Sequence, residues 1–247
     1  MSAILTIARR EVGAFFVSPI AYVVMTVWLL VFGGVFFLLA MFLASAGPGE
    51  NLLQAFFGGT TLFYLPLLVF SPMLTMRLLA EERAQGTLEA LMTAPVTEVQ
   101  VVLGKYLAAM VFWIALWAPT LLYVWLVARG GENNVDWGAM AATYSGILGI
   151  GVLYMAVGLF MSSVARNQIV AAMLTFLVLG GLFGIGLAGY ATLDDQSRAI
   201  FEYVGLWTQM ASFAKGIVDT RYLVYDVSIA VLALFLTVRV LQANRWQ

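Results

Sequence analysis

Met76-Arg77-Leu78-Leu79-Ala80-Glu81-Glu82-Arg83-Ala84-Gln85-Gly86-Thr87-Leu88-Glu89-Ala90-Leu91-Met92-Thr93-Ala94-Pro95 is the densest charged segment of a chain otherwise dominated by apolar residues. Arg77, Glu81, Glu82, Arg83 and Glu89 fall between two long apolar runs. Charge at the centre of a bilayer is costly, so the segment belongs in water on one side of a membrane, and the runs beside it read as spans. Two readings of these residues stay open at this point. One is a contact site for a soluble partner; the other is an ordinary solvated loop, since charge runs between spans are common.

The totals support the membrane reading. The 247 residues are 63% hydrophobic and 10% charged, whereas an ordinary soluble domain is about 45–50% apolar and about 25% charged. A net charge of −1 leaves no basic surplus for nucleic acid. The lack of Cys and His removes disulfides, the common zinc sites, Ser-His and Cys-His nucleophile pairs and the usual neutral-pH acid/base. No cleavable signal peptide is expected, because the first apolar run is too long for a signal h-region.

Residues 2–18 put Ile4, Leu5, Ile7, Ala8, Val12, Phe15 and Phe16 largely on one helical face and Arg9, Arg10 and Glu11 on the other. That predicts an interfacial amphipathic helix ended by Ser18-Pro19. Six spans are predicted, at about 20–46, 60–79, 101–128, 138–164, 169–190 and 222–241, in one transmembrane domain covering 1–247. Each is long enough, at about 1.5 Å per residue, to cross a hydrocarbon core of about 30 Å. Pro66 and Pro72 should kink the second and Pro119 the third. Thr97-Glu98-Val99-Gln100 matches a capping box that starts the third span, and Lys105, near its wet end, should snorkel. Gly180, Gly184 and Ala188 form a small-residue stripe on the fifth, expected to pack against another helix. In 191–221, Asp194, Asp195, Arg198, Glu202, Lys215, Asp219 and Arg221 alternate with apolar residues, which predicts short helices at the interface or dipping into it, with Tyr203 and Trp207 as belt residues.

Orientation follows from the basic residues beside the spans. One face collects eight, Arg9, Arg10, Arg77, Arg83, Lys105, Arg166, Arg239 and Arg245, and the other four, Arg129, Arg198, Lys215 and Arg221. The positive-inside rule then puts both termini and the region 77–98 in the cytoplasm, and 191–221 outside. Within the charged stretch, Gly86-Thr87 can join two helices, with Thr87 as N-cap; Leu88, Leu91 and Met92 then share a face of a short helix that Pro95 stops. A Leu/Met knob ringed by charge suits a groove on another protein.

Leu78-Leu79-Ala80-Glu81-Glu82-Arg83, Gly86-Thr87-Leu88-Glu89, Leu91-Met92-Thr93-Ala94-Pro95 and Gly104-Lys105 resemble the ABC-2 type transporter permeases. The likeness extends over Arg9-Arg10-Glu11 with Ser18-Pro19, the six spans, Arg166-Asn167-Gln168 after the fourth, and the polar insertion before the sixth. Phe213-Ala214-Lys215-Gly216-Ile217-Val218-Asp219-Thr220-Arg221 is most similar to the gliding-motility type of this family.

The resemblance implies an all-α membrane fold of six transmembrane helices. An elbow helix stands at 2–18, a cytoplasmic coupling helix after the second span, and re-entrant helices at 191–221. It implies that Glu81, Glu82, Arg83, Gln85, Gly86, Thr87, Leu88, Glu89, Leu91, Met92 and Pro95 meet a separate ATPase subunit, with Arg166, Asn167 and Gln168 as a second contact. The function implied is export across a bacterial inner membrane, with ATP and Mg bound by a cytoplasmic ATPase dimer. A second permease copy or a related permease, and a membrane-anchored accessory subunit, complete the implied partners. Gly104-Lys105 lacks the upstream glycine of a phosphate-binding loop and is followed by Tyr106, so no ATP site is expected in this chain.

Other classes fit less well. An intramembrane aspartyl protease would pair Asp226 with a second aspartate after Gly-x-Gly, but Gly184-Ile185-Gly186 is followed by Leu187. Asp226 is expected instead at the outer interface, bonded to a neighbour or partly hydrated. A secondary transporter would carry ionisable groups in mid-span, where these spans have almost none. An anchor or mechanical-coupling subunit of an ATPase-driven complex is the alternative to a transporter.

Overall fold

The computed structural model describes residues 3–46, 51–86, 96–129, 135–188, 201 and 203–244. No strand occurs among the described residues. The chain begins with α1 (Ala3–Val17), and Ser18 separates it from the long apolar α2 (Pro19–Ala46). Asn51 caps α3 (Leu52–Gln54), which runs on as a π-helical turn, Ala55–Gly59, before α4 (Thr61–Thr75). A turn over 76–79 leads to the five-residue α5 (Ala80–Ala84). The capping box forms as the sequence predicts: Gln100 donates its backbone N–H to Thr97 Oγ1 at 3.3 Å, and Thr97 donates to Gln100 Oε1 at 3.0 Å. It opens α6 (Glu98–Trp117), which passes through a 3-10 turn at Ala118–Thr120 into α7 (Leu121–Arg129). Asp136, accepting from Gly138 and Ala139, caps α8 (Trp137–Val164). The chain continues as α9 (Gln168–Ala188), α10 (Leu206–Ala214) and α11 (Thr220–Asn244).

Among the described residues, five helical stretches are long and apolar enough to cross a bilayer: Pro19–Ser45, Glu98–Arg129, Trp137–Val164, Gln168–Leu187 and Thr220–Ala243. The second expected span, 60–79, is not one straight helix. Its helical part stops at Thr75, short of Leu79, and reaches span length only together with Leu52–Gly58, from which Leu62–Thr75 is bent by 44°. This sharp break lies around Gly59 and Thr60, whereas α4 runs continuously through Pro66 and Pro72. Pro119 does interrupt its span, by way of the 3-10 turn.

α8 is the axis of the bundle and packs against α4, α6, α9, α10 and α11. Four of its glycines let the neighbours in. Gly146 lies against Phe213 of α10, Gly149 against Asp226 and Leu223 of α11, Gly151 against the Trp113 indole of α6, and Gly158 against Thr75 of α4. Trp113 Nε1 also donates to the Ile147 carbonyl at 3.1 Å. α2, α4 and α6 interlock through aromatic rings. Trp28 meets Phe70 and Trp117 edge to face with centroids 5.1 Å apart, and Phe32 meets Phe63 at 5.8 Å.

Within the described part of the chain, the glycines of the expected packing stripe meet no neighbour. Gly180 and Gly184 have nothing within 4 Å of where a Cβ would stand, and the Ala188 side chain lies outside the described residues. Close approach on α9 uses Gly186 instead, which faces Gly205 at the start of α10. Close approach within the chain also uses the α8 glycines, each against a different neighbour, at spacings of three, two and seven residues rather than i, i+4.

Within the insertion 191–221, residues 191–200 and 202 lie outside the described residues. α10 dips into the bundle, burying Leu206, Gln209, Met210, Phe213 and Ala214. Trp207 stacks on Tyr64 at 5.3 Å, while Tyr203 is exposed. Gly216, at φ 82°, ends α10: Ile217 donates to the Ser212 carbonyl and Gly216 to that of Phe213, a Schellman motif.

A pair of identical substitutions tests this packing. A Cβ on Gly58 would stand 3.0 Å from the Ala211 Cα and closer still to the Ala214 Cβ, whereas one on Gly34 meets nothing. Gly58→Ala should lower the unfolding temperature of the detergent-purified protein by the equivalent of about 1–3 kcal/mol, the cost of overpacking. Gly34→Ala should raise it slightly or leave it unchanged. Equal effects would contradict the seating of α10.

Candidate functional site

The charged stretch is half described. Residues 76–86 are in place, while Thr87, Leu88, Glu89, Leu91, Met92 and Pro95 lie outside the described residues. Gly86, at φ 68°, follows α5 in the left-handed region that glycine tolerates, and the helix expected after it lies outside the described residues.

A helix of five residues cannot hold itself, and α5 takes its position from three neighbours. The first is α8. Ser162 Oγ accepts from the backbone N–H groups of Leu79 and Ala80 at 3.1 and 3.0 Å and donates to the Met76 carbonyl at 3.2 Å. A buried side chain from another helix thus satisfies the start of α5. Arg83 reaches the other way, its guanidinium donating to the carbonyls of Val164 and Ala165 at 3.4 and 3.3 Å, where a cation complements the end of α8.

The second and third neighbours meet in one ion-pair hub. Lys105 of α6 places Nζ 2.8 Å from Glu82 Oε1 of α5 and 3.3 Å from Glu11 Oε1 of α1. The lysine side chain is only 2% exposed, and Glu11 and Glu82 are 15% and 19% exposed. Lys105 therefore does not snorkel into water, as its sequence position suggested. The amphipathic helix folds over it, and two carboxylates replace solvent. The adjacent Gly104 makes this possible by letting Ile7 of α1 approach α6 to where a Cβ would collide.

Around the hub, Arg77 Nε donates to Glu81 Oε2 at 3.0 Å within one helical turn, and Gln85 donates to Glu81 Oε1 at 3.3 Å. Arg10 lies 2.9 Å from Glu11, and this hydrogen bond holds its guanidinium above the ordinary arginine range. Arg9 is exposed. Of the second contact expected from sequence, Arg166 and Asn167 are exposed and Gln168 opens α9, with Asn167 Oδ1 capping that helix through the Val170 N–H at 2.9 Å.

The structure thus brings Glu11, Glu81, Glu82 and Arg83 together and adds Lys105 and Ser162, which sequence reasoning did not place in the site. The signal for Lys105 was a lone cation in an apolar span; for Ser162, a polar residue that falls in the last turns of α8. Among the described residues no group of three or more carboxylates could hold a metal ion. Asp226 stands apart from the hub. It is fully buried rather than partly hydrated, and Gln209 of α10 donates to its Oδ2.

A protein-family model described as ABC-2 family transporter protein matches residues 53–237, three quarters of the chain. The match includes the charged stretch and α5, and leaves α1 and α2 outside it. No curated protein matches the sequence.

Removing Lys105 would leave Glu11 and Glu82 facing each other. Lys105→Met should destabilise the protein by an amount approaching the about 3–5 kcal/mol seen when one partner of a buried pair is lost. Glu11→Gln should cost less, because the shorter bond to Glu82 remains. Thermal unfolding in detergent checks the order, and an equal or reversed order would deny Lys105 its place at the centre.

Proposed function

This chain belongs to the ABC-2 transporter family, and from that premise we propose that it is the non-catalytic transmembrane permease that couples ATP hydrolysis by a separate cytoplasmic ATPase to export of a substrate across a bacterial inner membrane. Members of this family are membrane transporter components that generally work with such an ATPase.

The observation that carries the reading is the hub. Lys105 ties α5 to α1 and α6, and Ser162 and Arg83 tie α5 to the end of α8. A partner pressing on α5 therefore engages α1 and two helices of the bundle, α6 and α8. In this reading α1 is the elbow helix, and residues 77–98 form the coupling region. The face of Leu88, Leu91 and Met92 sits in the ATPase groove, and Arg166, Asn167 and Gln168 form the second contact. Both termini lie in the cytoplasm, and two permease copies serve a two-fold ATPase carrying ATP and Mg. The resemblance of Phe213–Arg221 to the gliding-motility type supports that subtype and, with it, an accessory membrane subunit.

Two measurements test the proposal. Leu91→Glu or Glu82→Lys should reduce co-purification of the ATPase, or uncouple its hydrolysis, while the permease still reaches the membrane; normal coupling in both variants would move the contact elsewhere. A membrane-impermeant thiol reagent on intact cells should label a cysteine placed at Ser197 and spare one placed at Gln85, and the reverse pattern would invert the topology.

A further inference from the structure

Beside the hub, α1, α2, α4 and α6 enclose a cavity of about 380 Å³. One side is apolar and is walled by Phe15, Ala21, Val24, Leu74 and Phe112. The other is charged, with Glu11, Glu81 and Glu82 set against Arg77 and Lys105. The volume lies in the range of small-molecule sites, about 300–1,000 Å³.

The apolar side opens toward lipid. Ile20 and Met73 both line the cavity and are both exposed, at 53% and 40%. Each stands at the end of an exposed apolar stripe at helical spacing, Ile20, Val23, Val27 and Leu30 on α2 and Leu62, Leu65, Val69 and Met73 on α4. Such stripes on membrane spans are the faces that touch acyl chains. A ligand with a polar head in the cavity and a hydrocarbon tail between these stripes matches both halves of the lining.

The head group follows from the charges. Three carboxylates stand with two cations and the Gln85 amide, which donates to Glu81, so the lining carries both signs and suits a zwitterion. Both cations already hold carboxylates, Arg77 that of Glu81 and Lys105 those of Glu11 and Glu82, and Arg10 adds a further cation on Glu11 from outside the cavity, where it is 61% exposed. A head of one sign alone would meet like charge, an anion at the three carboxylates and a cation at Arg77 and Lys105. A quaternary ammonium would bring charge but no N–H for acceptor-only groups to bind. A primary ammonium brings both, and its charge-assisted hydrogen bonds to carboxylate are the strong kind. A phosphate beside it would fall to Arg77 at the rim.

We propose that this cavity is a binding site for a zwitterionic phospholipid with a primary amine, its ammonium on Glu81 and Glu82, its phosphate toward Arg77 and one acyl chain leaving past Ile20 and Met73. The lipid then forms part of the surface on which α1 and α5 rest.

The test uses the full chain, with its ATPase where the two co-purify, in nanodiscs of equal parts phosphatidylethanolamine, phosphatidylcholine and phosphatidylglycerol. After detergent extraction and washing, mass spectrometry of the retained lipid should show phosphatidylethanolamine enriched severalfold over the other two. Glu81→Gln should reduce that enrichment severalfold, and Ala21→Trp, which fills the apolar side, should abolish retention. Equal retention of the three lipids, preference for phosphatidylglycerol, no retained lipid, or undiminished enrichment in Glu81→Gln would each overturn the proposal. The comparison of head groups on the unaltered protein decides it even where a variant fails to fold. Coupling to an ATPase is not read, so failure here is separate from failure of the permease reading.

Discussion

A bilayer gives apolar helices no hydrophobic reward for leaving lipid, because lipid tails are as apolar as leucine. What can hold a bundle together is close approach, which multiplies dispersion contacts, and hydrogen bonds between helices. α8 supplies both. Its glycines bring the Phe213 ring, the Trp113 indole and the Thr75 side chain against its backbone. Its carbonyls at Ile147 and Val152 then accept from Trp113 and from the Tyr106 hydroxyl, at 3.1 and 3.2 Å. Each bond contributes little, about 0.6 kcal/mol on average in measured membrane cases. Their value lies in fixing which face each neighbour presents, and everything at the charged end of the bundle inherits its placement from that.

The hub solves a different problem at the edge of the same bundle. A lysine in an apolar span needs either water or opposite charge, and α1 takes water away by lying over α6. Two carboxylates from separate helices then settle the ammonium, each keeping some exposure, which moderates the desolvation cost of a fully buried pair. One cation thus makes the position of α5 depend on that of α1. The sum is an amphipathic helix, a five-residue helix and a span joined at one atom, Nζ of Lys105.

Much of this was legible in the sequence, and the pattern of success is physical. Long uncharged runs, the Thr97 capping box and the Ser18-Pro19 break are local signals, and the helices begin and end near where they indicate. The ABC-2 likeness also rested on contiguous residues, and the family match covers most of them. What escaped were the features made by residues far apart in the chain. Ser162 caps a helix 82 residues before it, and Lys105 pairs with a carboxylate 23 residues back. The bend near Gly59 and Thr60 lies where the Ala55–Gly59 turn packs against α10, and not at the prolines inside α4. Periodicity reports which face a helix buries, but not which neighbour it meets there.

The two spans that flank the charged stretch share one further property. Both are continuous α-helix near the stretch and depart from α geometry well away from it, α4 at its start near Thr60 and the α6–α7 span at Ala118–Thr120. These two departures come together in space. Phe63 packs on Trp117 with centroids 5.5 Å apart, Phe57 meets Tyr144 at 5.7 Å, and the Tyr144 hydroxyl lies 2.9 Å from Thr120 Oγ1. α10 seats against the same π-helical turn through Gly58. Helix broken at a point bends there more readily than along its regular length. α4 also lacks the backbone donors of Pro66 and Pro72 between the layer and the hub, so its hydrogen-bond ladder is thinned along its length, whereas the α6–α7 span gives up regular geometry at the layer. The polar end and the aromatic end of the bundle are thus held by different means, ion pairs and hydrogen bonds at one and ring packing across a helix break at the other.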